Sequence, residues 1–323
     1  MKRGGAKVFN APISALRVAA ALMLLGVAAC GPKSPSGAPS LSGNLPPSGF
    51  TELPVSPSES PSGSAPAPVL PGKNPEGVNI QERFTPPEGF ARVEAGIDSF
   101  AEYLRHLPLK ADGVFVSLAD GTGFYVDGKP AAVFDVEVTR RTMSTDAFLL
   151  LRALYLHSRL RADEINFHFL SGFEFPFYKW AEGYRLSGRD DPKWGASPSE
   201  PADGGEDGLY KYLDYLFSNT NARAVSTHDT RAADSLGIGC LLFTFNASGT
   251  PINAAMVADM AVNDRTGQIA VVLIRGGGTD TATDIYVMLN NAMIDNPWCQ
   301  MSEGGGFYTA EGLYMLTDAK DWA

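Results

Sequence analysis

The stretch Ala254-Ala-Met-Val-Ala-Asp-Met-Ala-Val262, continued by Asn263-Asp-Arg-Thr-Gly267 and Gln268-Ile-Ala-Val-Val-Leu-Ile274, reads as strand, turn and strand. Both outer runs are short and almost wholly apolar, and a polar turn ending in glycine divides them. Two more apolar segments flank the pair. Cys240–Phe245 precedes it across Ser248-Gly249, and Asp284–Leu289 follows it beyond Gly276-Gly-Gly278. Four such segments, each bounded by turn formers, predict an antiparallel meander. The triple glycine is not a phosphate loop, because no Lys-Ser/Thr follows it and no helical pattern opens after it.

Upstream the period changes. Ser99–Leu107 spaces Phe100, Tyr103, Leu104 and Leu107 as a helix that Pro108 ends. Val114–Leu118 and Tyr125–Val126 predict strands around Asp120-Gly121, and Ala131–Val138 predicts a longer one. Ser144 or Thr145 can cap a nearly all-apolar helix running to about Leu160, with Asp146 in its first turn. Leu209–Phe217 is amphipathic, with Tyr210, Leu213 and Phe217 on one stripe. Helices first and an antiparallel sheet later give an α+β domain.

Aromatics and one histidine are densest in Glu164–Arg185. Ile165, Phe167 and Phe169 alternate with Asn166 and His168 as a strand. Ser171-Gly172 breaks it, and Phe177, Trp180, Ala181 and Tyr184 then follow helical spacing. His168 is thereby set near a helix entrance, a usual place for a functional group. Trp180, Tyr184 and Trp194 suit stacking on sugars or peptides, and Arg185 can clamp a carboxylate or pair with Glu182 at i, i+3. Aromatic stripes of this kind also build cores. His157 reads as a histidine satisfied at a helix end, and His228 as a solvated loop residue.

The first quarter of the chain reads as an address. Lys2, Arg3, Lys7 and Arg17 precede an uncharged run, Val18–Ala29, of about a dozen residues against the ~20 that span a bilayer. Residues 1–29 are therefore a leader peptide. Val27-Ala28-Ala29-Cys30 resembles the lipobox of bacterial lipoproteins, which implies that Cys30 is acylated and anchors the chain to a membrane. Gly31, where that pattern has Asp for inner-membrane retention, implies an outer membrane facing the periplasm or exterior. Residues 30–78 hold about half of the 23 prolines amid Ser, Gly and Ala, the composition of a disordered tether. Residues 79–323 form one domain. The chain's net charge of −10 and the lack of a basic cluster after the leader argue against nucleic acid as a partner. No zinc-type Cys/His spacing exists, and no cofactor is expected. Cys240 and Cys299 leave a disulfide and buried free thiols as open alternatives.

Five phrases carry a resemblance: Arg83-Phe-Thr-Pro-Pro-Glu-Gly-Phe90, Tyr103-Leu-Arg-His-Leu-Pro-Leu-Lys110, Ala131-Ala-Val-Phe-Asp135, Asp163-Glu-Ile-Asn-Phe-His-Phe169 and Lys179-Trp-Ala-Glu-Gly-Tyr-Arg185. They resemble the exported bacterial family known as domain of unknown function 4846, which implies no activity. Behind it stands a fainter similarity to papain-like cell-wall peptidases of the NlpC type, in which a strand His activates a Cys at a helix N-terminus. That similarity implies a papain-like fold with Gly239-Cys240 and Ile252-Asn253 at the strand positions and Leu170-Ser171-Gly172 at the nucleophile turn. Asn253 cannot be a general base and Leu170 cannot attack, so the catalytic positions are lost.

Three functions remain. The first is a non-catalytic envelope module binding peptide, glycan or protein through His168, Trp180, Glu182, Tyr184, Arg185 and Asn253. The second is a cell-wall hydrolase centred on His168 with Asp135, Glu137 or Glu182 as its partner. The third is an envelope scaffold.

Overall fold

A computed structural model of the chain describes residues 72–125, 130–188, 191–291 and 296–323, all within one compact unit. The leader, Cys30 and the Pro/Ser/Gly-rich tether up to residue 71 lie outside the described residues. Asn79 caps α1 (Ile80–Arg83), its side chain accepting from the Glu82 N–H at 3.0 Å. After β1 (Ala91–Arg92), Ser99 caps α2 (Phe100–His106) in the same way. Next come β2 (Pro130–Val133) and the central helix α3 (Asp146–Ser158). The hairpin of β3 (Asn166–His168) and β4 (Glu174–Pro176) runs directly into α4 (Phe177–Ala181). A small hairpin, β5 (Leu186–Ser187) and β6 (Lys193–Trp194), leads to α5 (Glu206–Phe217). The short α6 (Ala222–Ala224) continues into one π-helical turn over Val225–Asp229. Strands then dominate: β7 (Thr230–Ala232), β8 (Leu241–Phe245), β9 (Pro251–Val262), β10 (Ile269–Arg275), β11 (Tyr286–Met288), β12 (Trp298–Gln300), β13 (Gly306–Thr309), β14 (Gly312–Met315) and β15 (Ala319–Trp322). No helix of the described residues is long and apolar enough to cross a membrane.

The meander forms as its sequence demands, β8, β9, β10 and β11 lying side by side and antiparallel. The α+β class follows. The sheet is larger than the meander, however. β2 joins beyond β11, β15 and β7 join beyond β8, and β1 and β12 pair with β9 and β10, making nine strands. Both faces are covered, which is why β9 and β10 are apolar nearly throughout instead of alternating. Met256, Ala258, Val272 and Ile274 face the helices, with Phe148, Leu151, Leu213 and Phe175 in the same core. Val257, Val271, Leu273 and Tyr286 face the opposite side, where Phe307 and Tyr314 of the β13–β14 hairpin cover them. A β-bulge between Val272 and Leu273 breaks the β9–β10 register, and Asp259 pairs with Val272 beside it.

Several local expectations change. Residues 114–125 make only isolated bridges, Ser117 to Phe124 and Leu118 to Thr283, in place of the strand expected over Val114–Leu118, while Val126 of the second expected strand lies outside the described residues. The strand expected over Ala131–Val138 stops at Val133, because Phe134 bridges back to Leu109 and Asp135 is exposed. On α5 the buried stripe is Leu209, Tyr212, Leu213, Leu216 and Phe217, with Tyr210 at its margin. Cys240 and Cys299 are both buried free thiols, so no disulfide links them. Burial pushes them up to about 11 and about 12, which keeps both protonated and unreactive.

Candidate functional site

Thirteen residues long and buried on nearly every side, α3 is entered through a segment that hydrogen-bonds to β9. Ser144, two residues before its first turn, has φ +45°, a left-handed conformation that a non-glycine residue holds only under tertiary constraint. Gly276 supplies part of that constraint. A Cβ there would stand 2.5 Å from the Ala147 Cβ and 3.2 Å from the Ser144 carbonyl, so only glycine admits the β10 exit this close to the helix start. The first glycine of the triple run is thus a packing residue. Ser144 Oγ donates to Asn253 Oδ1 at 2.8 Å, tying the helix entrance to the second meander strand.

Beside this pair lies a pocket of about 440 Å³. On its wall, Thr145 Oγ1, Asp146 Oδ1 and Thr220 Oγ1 are buried without a hydrogen-bond partner. Such groups cost on the order of 1–3 kcal/mol each when left unsatisfied, and they cluster where a ligand or water completes them. Burial raises the Asp146 carboxyl well above the ordinary carboxylate range, opposed by one hydrogen bond from the Met143 N–H at 3.3 Å. Asp146 and Arg223 are the pocket's two ionisable side chains, and Arg223 is exposed.

The pair has the placement of a nucleophile and a base, a hydroxyl at a helix start facing a strand side chain, without their chemistry. An asparagine amide cannot take the serine proton, and Asp146 makes no hydrogen bond to Ser144. The hydroxyl facing Asn253 therefore belongs to Ser144 and not to the turn at Leu170-Ser171-Gly172. Ser171 is exposed, and Leu170 lies on the rim of the pocket. The available signal was Ser144-Thr145-Asp146 before the most apolar helix, although neither hydroxyl caps it as expected: Thr145 holds the cap position without a side-chain hydrogen bond, and Ser144 turns to Asn253.

His168 has a different partner from any expected. Asp229, in the π-helical turn, accepts from the His168 N–H at 3.1 Å and meets the ring Nδ1 at 2.8 Å. His228 is no solvated loop residue; it is half-buried and stacks on His168 with ring centroids 5.5 Å apart. Asp135 and Glu137 line a separate cavity of about 760 Å³, and Glu182 is exposed at the end of α4. No serine, threonine or cysteine of the described residues hydrogen-bonds to the His168 ring.

The Asp229 hydrogen bond raises the His168 pKa, while burial raises that of Asp229 against the pull of the imidazolium. The two directions oppose each other for an ion pair. The His168 rise governs above pH 6, because that ring reaches solvent and can be charged without losing all its hydration. Its contribution to stability is therefore fully present below the unfolded value of about 6.5 and is lost as pH rises through the higher folded value. The difference in urea midpoint between wild type and His168→Gln should shrink from pH 6 to pH 9. A difference independent of pH would show that the ring is not held as an imidazolium.

The remaining candidates are largely built into the core. Trp180 is 8 % exposed, packed on Phe175 and Tyr215. Arg185 lies over the Trp180 ring at 3.9 Å and donates to the carbonyls of Trp180 and Tyr184 at 2.8 and 2.7 Å, with no ion pair to Glu182. Tyr184 has left the helix, which ends at Ala181, and is half-buried. Trp194 stacks on Phe175 at 5.3 Å. His157 meets the Gly204 carbonyl at 3.0 Å.

No curated protein and no solved structure matches the chain. A family model matches it over residues 80–320, from the first helix to the last strand. By that match the chain belongs to the family described as domain of unknown function 4846.

Proposed function

We propose that this chain is a lipid-anchored protein of the bacterial cell envelope that binds peptide or glycan of the cell wall in the cleft at the start of α3 and does not catalyse. The observation that carries it is the Ser144–Asn253 pair. It sits where a helix-start nucleophile and a strand base would sit, beside a pocket with three unpartnered polar groups, and it contains no base. The lipobox ending in Cys30 and the proline-rich tether supply the anchor and the reach, with the outer membrane as the proposed location. The His168–Asp229 pair is the observation in favour of a hydrolase instead.

Incubation of the purified chain with isolated peptidoglycan separates the two. Pelleting with the sacculi and no release of soluble fragments is the expected result, unchanged in His168→Ala. A Thr220→Trp variant, which fills the pocket, should stay in the supernatant. Fragment release abolished by His168→Ala would make the protein an enzyme and overturn the proposal.

A further inference from the structure

We propose that the pocket at the start of α3 receives a free carboxylate at the end of a short peptide chain. The inference rests on the reading of this cleft as a binding site and names the chemistry of its ligand. Four kinds of group converge there. The N-terminus of a thirteen-residue helix brings the positive end of its dipole, its Asp146 and Phe148 N–H groups being already bonded to the Met143 and Thr145 carbonyls. Thr145, fully buried, and Thr220 hold hydroxyls with no partner. Asp146, 5 % exposed, has one oxygen equally unpartnered. Arg223 stands exposed on the wall as the one basic side chain.

These groups favour an anion. A cation would meet a guanidinium and a helix N-terminus, and the only carboxyl on the wall is one that burial keeps protonated beyond the usual carboxylate range. A protonated Asp146 can donate a hydrogen bond to a carboxylate, as can both threonines. The rim adds the second part of the specificity. Leu170 and Ile252 are 48 % and 40 % exposed at the mouth, where an aliphatic side chain next to the carboxylate would cover them. The volume of about 440 Å³ suits a chain end of one or two residues and not a polymer passing through.

The test uses the full chain in detergent with N-acetyl-trialanine, as the free acid and as the C-terminal amide, in a calorimetric titration at low salt. The acid should bind and the amide should bind about tenfold more weakly or worse, since a charge-assisted contact is lost. Arg223→Ala, an exposed site whose loss leaves the fold intact, should weaken the acid about tenfold and leave the amide unchanged. Wild-type affinity should fall as pH rises through the raised Asp146 value, because an ionised Asp146 repels the ligand. Asp146→Asn should keep the affinity and remove that fall.

Equal binding of acid and amide, or an Arg223→Ala variant indistinguishable from wild type, would overturn the carboxylate assignment. Absence of acid binding in a protein that still pellets with sacculi would overturn it while leaving the binding function standing. Loss of pelleting as well would remove the underlying reading too.

Discussion

Asp259→Ala is expected to destabilise the domain by about 3–5 kcal/mol, the cost of removing one partner from a buried ionic group. Asp259 is fully buried on β9 and holds two arginines, Arg92 Nε on one oxygen and Arg105 Nε on the other, each at 2.6 Å. Arg105 is itself 5 % exposed and also donates to the Val93 carbonyl, while Arg92 donates to that of Phe84. The cluster ties β1, which pairs with β9 at Arg92 and Ala261, and α2 to the bulged centre of the sheet. Alanine would leave two guanidinium groups without a counter-charge where water cannot reach both. In a domain of this size each kcal/mol moves the melting temperature by about 2–4 °C, so a fall of about 10 °C should appear in a thermal scan. The fall should persist at high salt, since buried pairs are little screened. Asp259→Asn, which keeps the shape, should be intermediate. A change of under 2 °C for the alanine variant would mean that the arginines find other partners and that the cluster does not hold the sheet to α2.

Gly183→Ala should cost about 2–4 kcal/mol, from a left-handed backbone and a backbone collision together. Gly183 has φ +91°, and an added Cβ would lie 2.0 Å from the Glu200 carbonyl oxygen. It is the glycine of a Schellman cap, its own N–H reaching Trp180 O and the Tyr184 N–H reaching Lys179 O, each at 3.0 Å. Its carbonyl in turn accepts from Ser199 and Glu200, so the loop after β6 docks on the same residue. The neighbouring substitution Glu182→Ala, at an exposed position, should change stability by less than about 0.5 kcal/mol. Comparison of the two urea midpoints decides it. Equal midpoints would show that the loop can move off Gly183 freely.

This second case shows how the phrase Trp180-Ala-Glu-Gly-Tyr-Arg185 was legible and how it misled. Its density of aromatic and charged residues resembles a binding surface. In the fold three of its members close a helix: Trp180 fills the core, Gly183 turns the chain, and Arg185 covers the indole and binds two carbonyls. Local spacing cannot distinguish a residue that presents itself from one that seals an end, because both need the same side chains on the same stripe. His168 is similar. Its strand was readable from alternation, but Asp229 comes from a turn that only the tertiary fold brings alongside.

The sequence by itself determined the α+β class, the four-stranded meander, the apolar central helix and the helical spacing of α2, since each depends on periodicity within a short stretch. Only the tertiary structure decided which helix start faces Asn253, which carboxylate holds His168, and that β2, β7 and β15 extend the sheet. Ser144 and Asn253 are 109 residues apart. Contacts of that separation are set by how whole elements bury their faces against one another, a free energy spread over the entire core and written in no short stretch of chain.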